Sequence, residues 1–140
     1  MKDKYFLDTN ILAYSFDDSE KTKQLKAQKL ITVALSDNNG IISYQVIQEF
    51  INLSTKKFAK PFSPKDTRKY LDEVMEPLCA VHSSIGLCYK AIRVQEENHL
   101  SFYDSLIVAA AIEGGCRILY SEDMHHGQKI SGLEILNPFI

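Results

Sequence analysis

The chain alternates short apolar runs with longer stretches of helical periodicity, and this rhythm sets the first expectations. Tyr5-Phe6-Leu7 is a brief apolar run ending at Asp8, which reads as a buried first strand. A helical stretch follows from about Ile11 to Phe16, and Asp17-Asp18-Ser19 breaks it. Residues 22–36 set Leu25, Leu30, Ile31, Ala34 and Leu35 among lysines, the pattern of an amphipathic helix. Asp37-Asn38-Asn39-Gly40 is a turn signal, and Ile41-Ile42-Ser43 reads as a second strand.

From Gln45 to about Phe58, Val46, Ile47, Phe50, Ile51 and Leu53 recur at helical spacing. Ser63-Pro64 has the form of an N-cap followed by proline at the first helical position. The helix it opens should run through Tyr70, Leu71 and Val74 to about Glu76, where Pro77 closes it. Leu78 to Val81 then reads as a third strand, and Ser84 to about Glu97 as a further helix. Ser101-Phe102-Tyr103-Asp104 opens the next helix with the spacing of a capping box. That helix, Leu106 to Ile112, is apolar on every side, so it belongs in the interior, and Gly114-Gly115 stops it. Arg117 to Tyr120 makes a fourth strand, and Leu133 to Leu136 a candidate fifth. Repeated strand–helix alternation predicts an α/β fold with a central, mainly parallel sheet of four to five strands flanked by helices.

Composition adds limits. With 140 residues, 45% hydrophobic and 24% charged, the chain suits one globular domain, expected over residues 1–140. No apolar run approaches the roughly 18 to 20 residues needed to cross a bilayer, so no membrane association is expected. The N-terminus has no apolar segment of signal-peptide length, which makes the cytoplasm the expected location. Cys79, Cys88 and Cys116 are too widely spaced for a C-x-x-C zinc or redox motif, and read as reduced core residues.

The net charge of −2 does not by itself suggest a nucleic-acid binder, but its distribution does. Lys21, Lys23, Lys26 and Lys29 face only Glu20 in their segment. Lys56, Lys57, Lys60, Lys65, Arg68 and Lys69 face only Asp66 in theirs. Either stretch can be a solvated helix face, or can hold a phosphate backbone while acids elsewhere hold metal.

In open parallel sheets, sites form beyond the carboxyl ends of the strands. Asp8 ends the first strand, and Asp123 lies just past the fourth. Asp104 stands at the start of the most apolar helix, where the helix dipole favours an ionised carboxylate. Glu49 borders an apolar helical stripe, where an acid is costly unless paired. Gathered carboxylates repel one another and need a cation, and oxygen ligands with few histidines suit magnesium or manganese. Such an ion can activate water for phosphodiester hydrolysis. Each acid also has a structural alternative: Asp8 as a helix cap, Asp104 as half of a capping box, Glu49 as the partner of a lysine, and Asp123 as a turn residue.

Four segments together resemble the PIN-domain family, in order and approximate spacing across essentially the whole chain. They are Asp8-Thr9-Asn10-Ile11-Leu12 after a strand, Gln48-Glu49-Phe50, Tyr103-Asp104-Ser105 leading into the apolar helix, and Ser121-Glu122-Asp123 after a late strand. The segment Gly132 to Phe139 resembles the family's closing strand. The resemblance implies a three-layer fold with an acidic pocket binding Mg2+ or Mn2+, and RNA endonuclease activity. Short stand-alone members resemble VapC-type toxins, which implies a cognate antitoxin protein and a homodimer.

By position, Asp8, Glu49, Asp104 and Asp123 match the catalytic acids, with Asp8, Asp104 and Asp123 as the metal ligands. Thr9, Asn10 and Ser121 match supporting polar residues. Where many members carry another acid followed by phenylalanine, Met124-His125-His126-Gly127 stands here, which removes one expected ligand. His125 and His126 read as a surface loop, and Glu122 is expected to face away from the acids. Lys56, Lys57, Lys60, Arg68 and Lys69 are the candidate RNA-backbone contacts. The alternative is a non-catalytic PIN-like module that binds RNA or protein, although the presence of all four acids weighs against it. A phosphoacceptor domain would need paired early acids and a lysine after the last strand, but Asp3 and Asp8 are too far apart for such a pair and no suitable lysine follows the fourth strand.

Overall fold

The computed structural model describes residues 3–140, so Met1 and Lys2 of the expected domain lie outside the described residues. The first strand, β1 (Tyr5–Leu7), leads through Asp8 into α1 (Thr9–Tyr14), and a turn precedes α2 (Lys21–Asp37). There follow β2 (Gly40–Ser43), α3 (Tyr44–Lys56), α4 (Pro64–Tyr70), a π-helical turn (Leu71–Met75), α5 (Glu76–Leu78) and β3 (Cys79–Val81). The chain closes with α6 (Ile85–Asn98), α7 (Phe102–Glu113), β4 (Ile118–Tyr120), β5 (Lys129–Ile130) and β6 (Leu133–Leu136).

The sheet has six strands in the order β3-β2-β1-β4-β6-β5. All neighbours run parallel except β5, which pairs antiparallel with β6. The expected α/β architecture with a mostly parallel sheet flanked by helices is present, with one strand more than expected. β5 escaped the periodicity because it is two residues long and hangs on a two-residue turn. Ser131 and Gly132 both have positive φ (50° and 85°), the backbone such tight hairpins require.

Two further expectations are corrected. Pro77 does not close its helix at Glu76; helical structure continues to Leu78. The π-helical turn makes this possible, since the Glu76 amide donates to the carbonyl of Leu71, five residues back, and so moves the carbonyls that a proline ring would otherwise strike. In α2, Leu25 and Leu35 do not join the core and are 58% and 38% exposed. The buried stripe is Gln24, Ala27, Ile31 and Ala34.

α7 lies inside, as its composition requires, with Ile107 through Ala111 all buried. Phe6, Leu7, Ile42, Leu119 and Ile135 from the central strands are fully buried as well. Chain order reverses between β1 and β4, which are hydrogen-bond neighbours although far apart in sequence. The carboxyl ends of these two strands therefore form a topological switch point, where α/β sheets bind ligands. The Asp8 amide donates to the Tyr120 carbonyl (3.0 Å), which extends the ladder to the mouth of that crevice.

Candidate active site

Asp8 enters the site because β1 ends there and α1 begins. Its Oδ1 accepts from the Thr9 amide (2.7 Å), capping α1, and its Oδ2 accepts from the Ser121 hydroxyl (2.8 Å). The side chain is buried, and burial raises its pKa to about 7. The Ser121 and Thr9 hydrogen bonds pull the other way, and the charges of Glu49 and Asp123 push it up further. The capping role and a place among the acids therefore coexist in one residue.

Glu49 projects from α3, where Thr9 Oγ1 donates to its Oε1 (2.6 Å) and Gln45 Nε2 to its Oε2 (3.3 Å). Among the described residues no lysine pairs with it. Gln45 also donates to the Tyr103 carbonyl (3.3 Å), tying α3 to the start of α7 beside Asp104. Sequence reading missed Gln45, although its position one turn before Glu49 on the same helix face was available. At α7, Ser101 Oγ accepts from the Asp104 amide (3.1 Å), but the return bond of a capping box is not made. The Asp104 carboxylate is thus left to face the cleft. Its pKa is raised, first by burial; the Ser101 side chain pulls the other way, and the charges of Asp123 and Glu49 push it up further.

Asp123 is exposed on the turn after β4. Its amide donates to Ser121 Oγ (3.2 Å), and its Oδ2 accepts from Asn10 Nδ2 (3.0 Å). The same Asn10 amide group reaches Asp8 Oδ2 and Ser121 Oγ (both 3.4 Å), so Asn10 links the two aspartates. Glu122 points elsewhere, accepting from Tyr14 Oη (2.5 Å) and Lys23 Nζ (2.6 Å). Burial raises its pKa, but those two partners outweigh burial and bring it below the ordinary carboxylate range. His126 Nδ1 accepts from the Asn137 amide (2.9 Å), which gives that imidazole a loop-fastening contact.

Asp8, Glu49, Asp104 and Asp123 line a single open cleft of 1420 Å³, with Thr9 and Asn10 beside them. Of the candidate RNA contacts, Lys57, Lys60 and Lys69 line this cleft, whereas Lys56 and Arg68 do not. Its far wall is aromatic, and this too went unseen in the sequence. Phe16 packs against Phe62 and Tyr70 with ring centroids 5.1 and 5.2 Å apart, backed by Phe50 and Phe58.

The donor set fits a hard divalent cation. Of the acids that line the cleft, Asp8, Glu49, Asp104 and Asp123 form no ion pair with Lys, Arg or His among the described residues. Burial is the main cause of the raised pKa values of Asp8 and Asp104, and the charges of the neighbouring acids add to it. Among the described residues no three acidic, histidine or cysteine side chains stand close enough together to hold a metal ion as they are placed. The Asn10 amide, a neutral donor, lies between Asp8 and Asp123 where a cation would draw them together.

The PIN domain family matches residues 5–128, nearly the whole chain. The chain belongs to that family. Nuclease activity is typical of PIN domains, and they generally use divalent metal ions. No curated protein matches the chain. Among solved structures it is similar to a toxin–antitoxin complex from Klebsiella pneumoniae, at 17% identity and a TM-score of 0.68, covering 96% of this chain and 98% of that one. VapBC2 from Rickettsia felis, bound to a DNA fragment from its promoter, matches at 18% identity and a TM-score of 0.64, covering 94% and 96%. VapC20 of Mycobacterium tuberculosis, described as a sarcin–ricin loop cleaving toxin, matches at 19% identity and a TM-score of 0.59, covering 86% and 90%. At these identities the likeness is one of fold. Among the described residues, no helix of this PIN domain is long and apolar enough to cross a membrane.

Proposed function

We propose that this PIN domain is a Mg2+- or Mn2+-dependent endoribonuclease and the toxin of a VapBC-type pair. The observation that carries the reading is the cleft lined by Asp8, Glu49, Asp104 and Asp123, four carboxylates from distant parts of the chain, none of which forms an ion pair among the described residues. Asp8, Asp104 and Asp123 would hold the metal, which supplies Lewis acidity at phosphorus and a more acidic water. Glu49 orients the attacking water and takes its proton, with its own carboxylate steadied by Thr9 and Gln45. Thr9, Asn10 and Ser121 hold the acids in place. In-line attack of the water oxygen on phosphorus breaks the bond to the 3′-oxygen, which takes a proton from solvent, and leaves a 5′-phosphate and a 3′-hydroxyl. Lys57, Lys60 and Lys69 contact the RNA backbone without reading sequence. A neighbour described as cleaving the sarcin–ricin loop supports RNA as substrate, and two neighbours described as a toxin–antitoxin complex and VapBC2 support an antitoxin partner.

The deciding experiment compares wild type with Asp8→Asn on total cellular RNA in Mn2+, Mg2+ or EDTA. Cleavage should require metal and vanish in the variant. Equal activity of both proteins removes the carboxylate mechanism, and a folded, metal-loaded, inactive wild type makes the chain a binding module.

A further inference from the structure

The basic segment Lys21 to Lys29 offers no RNA contact in the cleft; none of its lysines lines it. Lys23 is instead turned toward Glu122, 99 residues away in sequence, with Nζ 2.6 Å from Oε2. This is not an open surface pair. Nζ lies 4.9 Å from the Tyr14 ring centroid and 5.8 Å from that of Phe139, and the two rings pack edge to face. Aromatic faces shield the ammonium and restrict its rotamers, which strengthens a pair that is worth little in open water. Glu20, the N-cap residue of the same helix, is more exposed and farther from Nζ at 3.7 Å. Tyr14 Oη donates to the other oxygen of Glu122, so both of its carboxylate oxygens are engaged.

Glu122 stands immediately before Asp123 and its backbone is fixed as well. Its amide donates to Asn10 Oδ1 (3.2 Å), while the amide group of that same Asn10 side chain donates to Asp123 Oδ2 (3.0 Å). A continuous path of polar contacts therefore runs from Lys23 through Glu122 and Asn10 to Asp123. Asp123 itself is exposed and sits on a turn, so its position depends on such anchors.

We propose that Lys23, acting through Glu122, is a positioning residue that sets the placement of Asp123 and Asn10 for divalent-cation binding. The proposal rests on the metal-site reading above and assigns a function to a lysine that otherwise looks like solvated helix surface. Groups that orient metal ligands typically change metal affinity by about 10- to 100-fold when removed. Loss of a merely structural contact would lower the melting temperature and leave affinity, measured well below melting, where it was.

The test is calorimetric titration of Mn2+ into the full chain, with thermal melts of each variant. Lys23→Met should bind Mn2+ about ten-fold more weakly than wild type, and Lys23→Arg, which keeps the charge, within about two-fold. Combining Lys23→Met with Glu122→Gln should cost no more than either alone, because both act along one path. If Lys23→Met does not fold, Tyr14→Phe carries the test by deleting one hydroxyl, with an expected loss of about three-fold. Wild-type affinity in the Met variant, or an Arg variant no better than Met, overturns the proposal and leaves the nuclease reading standing. A wild type that binds no Mn2+ overturns that reading, and the proposal with it.

Discussion

Asp8 shows how one buried carboxylate couples stability to the chemistry proposed for it. Its folded pKa of about 7 lies above the value an aspartate has in the unfolded chain, so between about pH 4 and pH 7 the folded state holds a proton that the unfolded state has lost. Stability from this group is therefore greatest at low pH, falls as pH rises through that window, and stays low above it. Asp8→Asn removes the penalty. In EDTA at pH 8 the variant should exceed wild type by up to the order of 4 kcal/mol in urea unfolding, and the gap should close toward pH 4. Parallel pH profiles for the two proteins would show that Asp8 carries no such burden. Glu49→Gln probes the other role, since the amide still has an oxygen to accept from Thr9. Its turnover should drop by about 100- to 1000-fold with the melting temperature nearly unchanged, and an unimpaired variant removes Glu49 as the base. At this scale the sequence was informative in part. Strand ends and a helix start marked Asp8, Asp123 and Asp104, but the meeting of these acids with Glu49 is a long-range fact that no local pattern contains. Element ends and borders suggested that the four acids gather, and the resemblance strengthened that expectation.

Elements were read best where one force dominated. α7 is apolar all round and could only be interior, and Ser63-Pro64 opens α4 with a full capping box to Asp66. Misreadings arose where two signals competed. Pro77 is a helix breaker by local rule, yet the π-helical turn before it absorbs the conflict. Leu25 and Leu35 are apolar, but the stripe facing the sheet is fixed by the small residues Ala27 and Ala34, which let α2 approach closely. Gly40 marks that approach: a Cβ there would stand 2.4 Å from Ala34 Cβ and 2.7 Å from the Tyr5 ring. A Cβ at Gly114 would also meet an atom at 2.4 Å, but that atom is Ile41 Cδ1, the free end of a flexible side chain. Gly40→Ala should therefore cost about 2 kcal/mol in urea unfolding, and Gly114→Ala clearly less. Equal losses would mean that α2 shifts on β2 as readily as a side chain turns.

Across the whole molecule, the small net charge conceals a division within one cleft. Asp8 and Asp123 stand at strand ends with Glu49 and Asp104 on helices beside them, while Lys57, Lys60 and Lys69 come from α4 and the loop that precedes it, where Asp66 also lines the cleft. A polyanion lying in this cleft would place one phosphate among the acids, where only a cation makes it tolerable, and neighbouring phosphates against the lysines. Affinity should then fall with salt in proportion to the phosphates neutralised, with a slope of about −0.7 per contact for a single strand. With Asp8→Asn as background to prevent cleavage, replacing Lys57 and Lys60 by alanine should flatten the slope of log affinity against log salt by about 1.4. Replacing Lys56 and Arg68, which lie outside the cleft, provides the matched control because it removes the same charge from the same stretch of sequence. A slope that responds equally to both pairs would mean that RNA senses overall charge rather than this cleft. A slope that responds only to Lys57 and Lys60 would place the strand along the wall facing the four acids.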